Sequence, residues 1–435
     1  MTINTRFKSI ELAGWRQFRS IDLVFHDRLT IITGANGAGK STILRILKGH
    51  FAHESRENFL ATPIEEKNST IFSLGKWLLS ELGTIFGEKS AKQDPEVIGS
   101  IKYADGQQSS ISLPPSYNIK YMLGLDANVP VAGVYISSHR ALARYEPVSK
   151  IPVGGISPAD AFKEFNRIKK SNESDELYIR QGEVRSISPL LSIKETLISF
   201  AVSGSGNEHY RAVPELAGLF ERFQDLLKVI LPRELGFTRL EIRAPEVVVL
   251  TESGEFPIDG ASGGLMSLIE VSWQIFLYQS YIKSPYVALL DEPENHLHPS
   301  MQRSFLNKLV EAFPSCQFIV ATHSPFIVSS VKDSIVYALR HTDLTQPTSI
   351  PVRSRSVVSI KLDQLKKAGP AAEILRDVLG VPVTLPEWSA KELEEIADRF
   401  SKSAINVDSL SELRTSLESA GLEEFYPYAL DRIMK

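Results

Sequence analysis

Residues 29–42 read Leu29-Thr-Ile-Ile-Thr33-Gly34-Ala35-Asn36-Gly37-Ala38-Gly39-Lys40-Ser41-Thr42, and this stretch decides the fold. An apolar strand runs into a turn of the form GxxxxGK followed by Ser, and the turn opens a helix beginning Ser-Thr-Ile-Leu-Arg-Ile-Leu. Glycines let such a turn fold tightly, so that successive backbone N–H groups converge on phosphate oxygens. The helix N-terminus adds a partial positive charge. Gly34 to Thr42 are therefore expected to cradle a nucleotide, ATP, with Lys40 on its β and γ phosphates and Ser41 on magnesium. A ligand-free glycine-rich turn is the plain alternative. The agreement of motif, strand and helix argues against it.

Outward from the loop, strands are predicted at Phe7–Ala13, Ile21–Phe25 and Leu29–Thr33, broken by Gly14 and by His26-Asp27. A helix is predicted from Lys40 to Leu47, stopped by Gly49. Residues 50–130 read as irregular, with a helical stretch around Ile71–Phe86 and a hairpin over 98–113 turning at Asp105-Gly106. A buried-type strand follows at Val131–Ile136. Residues 155–233 read as a mostly helical insertion. A hairpin over 247–258 precedes a helix at Leu265–Tyr281, apolar nearly all round. Strand Tyr286–Leu290, helix Pro299–Phe313 and strand Gln317–Ala321 complete the pattern.

The second chemical signal is Val287-Ala-Leu-Leu-Asp291-Glu292-Pro293, an apolar strand that ends in two carboxylates. Charge fits there when the strand end opens on a ligand, the usual place in an α/β sheet. Asp291 would hold magnesium, together with Ser41. Glu292 would orient and polarise the attacking water. A strand running into an acidic surface turn is the alternative, and the upstream phosphate loop weakens it.

Composition bounds the rest. The 435 residues are 43% hydrophobic and 23% charged, with a formal net charge of −4. A strongly basic balance, which would point to nucleic acid, is absent. The lone cysteine, Cys316, excludes a disulfide framework. No apolar run has the roughly 18 residues needed to span a bilayer, and the first residues lack a secretion signal. A cytoplasmic location without membrane contact is expected.

With these motifs in hand, the chain resembles the ABC-type ATPases of the SMC, RecF and OLD group. The resemblance rests on the phosphate loop, Asp291-Glu-Pro-Glu-Asn295-His-Leu-His-Pro299, Thr322-His323-Ser324-Pro325, and Ala261-Ser262-Gly263-Gly264-Leu265. It implies a P-loop core with an N-terminal β-rich lobe, a D-loop at Asn295–Pro299, and a γ-phosphate sensor at His323. It also implies a signature segment, Ser262, Gly263 and Gly264, which clamps ATP held by another subunit. Ala261 and Leu265 depart from the family's usual Leu and Gln. A basic residue of the segment GWRQFRSIDLVF helps hold nucleotide in such heads, and Arg19 is the candidate here. Ser137-Ser-His-Arg140 follows the strand where the family places its Q-loop, without the expected glutamine. His296 and His298 read as packing or D-loop contacts rather than metal ligands. The basic run Arg353–Lys367 reads as a solvated face.

Only the insertion at 155–233 interrupts the head, without sustained heptads, and no nuclease carboxylates follow His323. The chain therefore resembles stand-alone ATPases of bacterial anti-phage systems, the AriA type of PARIS and, less closely, the Septu ATPase. The domains expected are a head at 1–345 and a helical C-terminal extension at 346–435. In the extension, Ser389–Glu392 and Ser409–Glu412 read as capping boxes. The resemblance implies a homo-oligomer of ATP-sandwiched heads, a separate effector of the nuclease-toxin type, and a phage protein as trigger. The insertion and the acidic tail are the expected docking surfaces. A RecF-like DNA-binding ATPase in repair is the alternative, disfavoured by the charge balance.

Overall fold

The computed structural model describes residues 5–66, 69–73, 95–114, 119–140, 144–151, 155–174, 179–180, 183–184, 187–282, 284–343, 355–363, 371–379, 385–401 and 407–434. They fall into two compact units, 1–369 and 370–435.

In the first unit, eleven strands of the described residues join one mixed sheet. Its centre is parallel. β3 (Leu29–Gly34) lies between Ile335–Asp343 and Cys316–Thr322, and Tyr286–Asp291 and Gly133–Ile136 follow outward. β3, Tyr286–Asp291 and Cys316–Thr322 are buried at every position, as expected for parallel strands covered on both faces. Antiparallel strands build the other half. β1 (Phe7–Trp15) and β2 (Phe18–Val24) pair with each other, and β1 also pairs with Glu96–Tyr103 of the expected hairpin. Both β1 and the helix after β3 press apolar side chains into the same core, which includes Phe7, Trp15, Ile43 and Leu47.

Helix α1 (Lys40–Lys48) starts from Gly39, whose φ of 100° is a left-handed conformation that glycine adopts without strain. Helices α2 (Pro158–Ser174), α3 (Pro189–Ser205) and α4 (Pro214–Ile230) make up most of the insertion. Helix α5 (Gly263–Tyr281) is capped by Ser262, whose hydroxyl accepts from the Leu265 N–H at 3.4 Å. It is buried along Met266–Tyr278, which accounts for its lack of amphipathic patterning. Helix α6 (Pro299–Ala312) buries Phe305, Leu306 and Leu309.

Several expectations change. Residues 69–73 form a strand paired with 62–66, not the start of a helix; the rest of the Ile71–Phe86 prediction lies outside the described residues. The 247–258 hairpin gains a third strand, Phe237–Arg243. Arg355–Lys361, within the basic run, is an interior strand of the large sheet between β2 and Ile335–Asp343. It belongs to the first unit, whose boundary falls at Gly369 rather than at residue 345.

The second unit is helical: Ala371–Asp377, Glu387–Ser401, Val407–Ser419 and Tyr426–Met434. Leu393, Ile396, Leu413, Leu417 and Leu422 form its core. Ser389 and Ser409 sit inside the first turns of their helices rather than at the N-caps, so neither forms the expected capping box. The Val407–Ser419 helix ends as its sequence suggests. Gly421 has φ 69°, its N–H donates to Glu418, and the Leu422 N–H reaches back to Leu417. That is a Schellman ending closed by a leucine pair.

Candidate nucleotide site

The loop after β3 owes its shape to close packing. Gly34 has φ 140°, and a Cβ there would lie 2.4 Å from the Leu339 carbonyl. A Cβ at Gly39 would meet the Phe18 ring at 2.5 Å. Ala35, Asn36 and Gly37 are exposed, and Ala38 is buried beneath them. The Lys40 ammonium lies within the loop and donates to the carbonyls of Gly34 (2.8 Å) and Ala35 (3.3 Å). Burial lowers its pKa, and the nearby Glu292, Asp291 and Glu294 oppose that shift. Thr42 follows in the first turn of α1.

The acidic strand end lies directly beside this turn. The Ser41 hydroxyl donates to Asp291 Oδ1 at 3.0 Å, and the Tyr135 hydroxyl donates to Oδ2 at 3.4 Å. Burial raises the Asp291 pKa, although the Ser41 bond works against it. One residue on, Glu292 takes a left-handed φ of 47°, uncommon for a residue with a side chain. Its carboxylate Oε1 is 3.3 Å from His323 Nδ1. Two hard oxygen donors, a serine hydroxyl and a carboxylate, fit a magnesium ion, which prefers oxygen and keeps much of its water.

Among the described residues no hydrogen bond links Ser262, Gly263 or Gly264 to the loop at 34–39. Gly264 packs against the segment 295–299: a Cβ there would be 3.0 Å from the His296 carbonyl, and His296 itself has φ 69°. His298 caps α6, its Nδ1 accepting from the Ser300 N–H at 3.3 Å. Arg19 stands exposed on β2. Its neighbour Arg16 donates to the Leu60 carbonyl at 3.1 Å and lies over the Trp15 and Phe59 rings.

Comparison with known proteins follows the same motifs. Residues 222–329 match a family described as "AAA domain, putative AbiEii toxin, Type IV TA system", and residues 9–97 match an "AAA domain" family. The chain is 22% identical to the Retron Ec83 probable ATPase of Escherichia coli, over 77% of this chain and 72% of that protein. It is 21% identical to Septu protein PtuA of Bacillus thuringiensis, over 98% and 93%. The chain is a relative of the retron and Septu ATPases. The Retron Vc95 probable ATPase of Vibrio cholerae is 29% identical, over 24% of this chain and only 23% of that protein. Among solved structures, an SMC head bound to the C-terminal winged-helix domain of ScpA aligns with TM-score 0.39 and 16% identity, over 83% of this chain and 99% of that one.

The segments this relative shares with AAA-type ATPases hold the loop on one side and Ser262, Asp291, Glu292 and His323 on the other. Four residues beside them make contacts that sequence reasoning does not give. Gln17 donates to the Gly37 carbonyl at 3.4 Å. Glu294, buried, accepts from the Thr322 hydroxyl (2.6 Å) and the His323 N–H (3.1 Å). Asn295 donates to Glu292 Oε2 (3.3 Å) and to the Ser138 carbonyl (3.2 Å). Arg140 donates to the carbonyls of Asn295 and Glu292. The sequence named Asn295 and Arg140 only as members of the 295–299 and 137–140 segments, and for Glu294 its one signal was its place directly after Pro293. A cavity of about 560 Å³ opens from Ser41 and Asp291 and reaches Arg140, Lys169 and Glu270.

Proposed function

We propose that the chain binds and slowly hydrolyses Mg-ATP, and that it works as the sensor and scaffold of a bacterial anti-phage complex. One observation carries the ATPase reading: the Ser41–Asp291 pair at 3.0 Å and the Glu292–His323 pair at 3.3 Å stand at consecutive positions of one strand end. Lys40 and the loop amides would hold the β and γ phosphates. Ser41 and Asp291 would hold magnesium, which supplies charge neutralisation to the transferred phosphoryl group. Glu292 orients the attacking water and takes its proton, with His323 fixing the carboxylate and facing the γ-phosphate.

The similarity to retron and Septu proteins supports the anti-phage role. In this reading two heads sandwich ATP between the loop of one and Ser262–Gly264 of the other. A separate effector, a nuclease-type toxin, stays bound until a phage protein is sensed. Among the described residues no helix is long and apolar enough to cross a membrane.

Phosphate release from the purified chain with Mg-ATP tests the chemistry. Co-purification with the product of an adjacent gene, and plaque counts in cells carrying Lys40→Ala, test the role. A chain that hydrolyses nothing overturns the first. A chain that purifies alone, binds duplex DNA only with ATP and leaves phage growth unchanged overturns the second.

A further inference from the structure

Arg140 leaves the end of strand Gly133–Ile136 and reaches three residues in two other segments. Its Nη1 donates to the Asn295 carbonyl at 2.9 Å and to the Ser267 hydroxyl on α5; its Nη2 donates to the Glu292 carbonyl at 3.3 Å. Ser267 in turn donates to the Asn295 carbonyl at 3.1 Å. The 292–295 turn answers this contact, because Asn295 donates to the Ser138 carbonyl, two residues before Arg140. Ser267 lies in the second turn of the helix that Ser262 caps.

The turn so held is one that needs holding. Glu292 is left-handed and precedes Pro293, whose ring narrows the conformations open to the residue before it. Its N–H is fixed to the Ala321 carbonyl at 2.8 Å. Its own carbonyl accepts from the Asn295 N–H at 3.2 Å and from Arg140. Without the guanidinium the carbonyl loses, of its two donors among the described residues, the one from outside the turn. A planar, forked cation can serve two carbonyls and a hydroxyl at once, whereas an ammonium presents a compact point charge.

We propose that Arg140 is the positioning residue that ties the Glu292 turn to the helix beginning at Ser262, so that the hydrolytic carboxylate and the second phosphate clamp of one chain move as a unit. The inference rests on the ATPase reading for its consequence, but its geometry stands independently. A displacement of α5 when Ser262 engages an anion is carried through Ser267 and Arg140 to Asn295 and Glu292. The coupling path is a chain of contiguous hydrogen bonds rather than spatial proximity alone.

The test uses the full chain carrying Arg140→Gln, Arg140→Lys or Ser267→Ala. In the Arg140→Gln protein, ATP affinity should stay within about twofold while kcat falls by about tenfold or more, the mark of an interaction that acts on the transition state. Arg140→Lys should not restore the rate, and Ser267→Ala should lose part of it. Hydrogen exchange of the nucleotide-free protein should rise in Arg140→Gln at residues 292–297 and in the first turns of α5, and stay unchanged in the loop 34–39. Wild-type kcat in Arg140→Gln, full rescue by lysine, or unchanged exchange at 292–297 would overturn the proposal. If the wild type itself hydrolyses no ATP, the ATPase reading fails, and the exchange measurement still decides the coupling.

Discussion

His323 Nδ1 lies 3.3 Å from Glu292 Oε1, across the ends of two neighbouring parallel strands. The register places Asp291 beside Ala321, so Glu292 and His323 emerge together just past the sheet edge. Glu294 Oε1 is 3.7 Å from the same ring nitrogen and also accepts the His323 N–H. The imidazole is therefore set by two carboxylates, one exposed to the site and one buried behind it.

This arrangement separates binding from turnover. Glu292→Gln keeps the side chain's size and its bond from Asn295, but cannot take a proton from water. ATP affinity should remain, and single-turnover hydrolysis should slow by about 100-fold or more. His323→Ala should slow it too, with affinity again retained. Hydrolysis at the wild-type rate in Glu292→Gln would remove the catalytic assignment.

The loop glycines should differ sharply in tolerance. Gly34→Ala drives a methyl to 2.4 Å from the Leu339 carbonyl of the neighbouring strand, where backbone must move. A cost of roughly 3 kcal/mol or more is expected. Gly37→Ala meets no atom within 4 Å, so only its φ of 78° is strained. The expected cost there is about 1 kcal/mol. Chemical denaturation of both variants gives the comparison, and equal losses would contradict it.

Acid should weaken the N-terminal core through a histidine. Burial pulls the His50 pKa down to about 4, and its Nε2 is bonded to the Tyr103 hydroxyl at 2.7 Å. Below the ordinary histidine range the unfolded chain takes up a proton that the folded protein refuses. Stability is therefore intact above about pH 6.5 and is lost as pH falls toward about 4. The loss is about 3 kcal/mol in order of magnitude. His50→Gln should flatten that part of the melting-temperature profile. His53, also lowered by burial, keeps its own share of the slope. An unchanged slope would exclude His50 as its source.

Strand, loop and helix at 29–48 were legible because local rules agree there: an apolar run, obligatory glycines and a helical period. The acidic strand was legible for the same reason, since two carboxylates after Val-Ala-Leu-Leu have few structural uses. What stayed hidden is set by contacts between distant residues. Arg140 meets Asn295 at a separation of 155 residues, and nothing in Ser-Ser-His-Arg announces it. Strand 355–361 is concealed by its flanking basic residues, although its Val357 is fully buried. The Ser-x-x-Glu pairs of the tail failed as caps because each helix begins two residues earlier, at Glu387 and Val407.

The insertion is tied to the approach of α5 by a buried cation. Lys194, fully buried on α3, bonds Asp259 at 2.8 Å, Glu246 at 2.7 Å and the Glu146 carbonyl at 2.9 Å. Asp259 precedes Ser262 by three residues. Lys194→Met leaves two carboxylates without their cation and should cost about 3–5 kcal/mol. Adding Glu246→Gln and Asp259→Asn should recover much of it. Thermal melts of the single and triple variants check this, and an unaltered single variant would show the pair to be dispensable.

A composite site between two heads makes the sharpest prediction. Ser262 is exposed at the start of α5, and its neighbour Gly264 lies against the His296 carbonyl; in the proposed sandwich Ser262 clamps nucleotide held by the loop of a second chain. Ser262→Arg places a bulky cation there and should block ATP-dependent association while leaving monomer binding intact. Lys40→Ala removes the loop's ammonium and should abolish nucleotide binding. Neither variant alone should hydrolyse ATP. In a mixed dimer, however, the loop of the Ser262→Arg chain faces the intact Ser262 of the Lys40→Ala chain, and one complete site forms. Turnover in the mixture should rise with the mixing ratio to a maximum near equal amounts, where mixed dimers are most abundant. Light scattering under the same conditions should report dimers only when both chains and ATP are present. Absence of recovery at every ratio, with both variants folded, would mean that the site is completed within one chain or that two intact sites must act together. A wild-type Ser262→Arg rate would by itself dismiss the clamp.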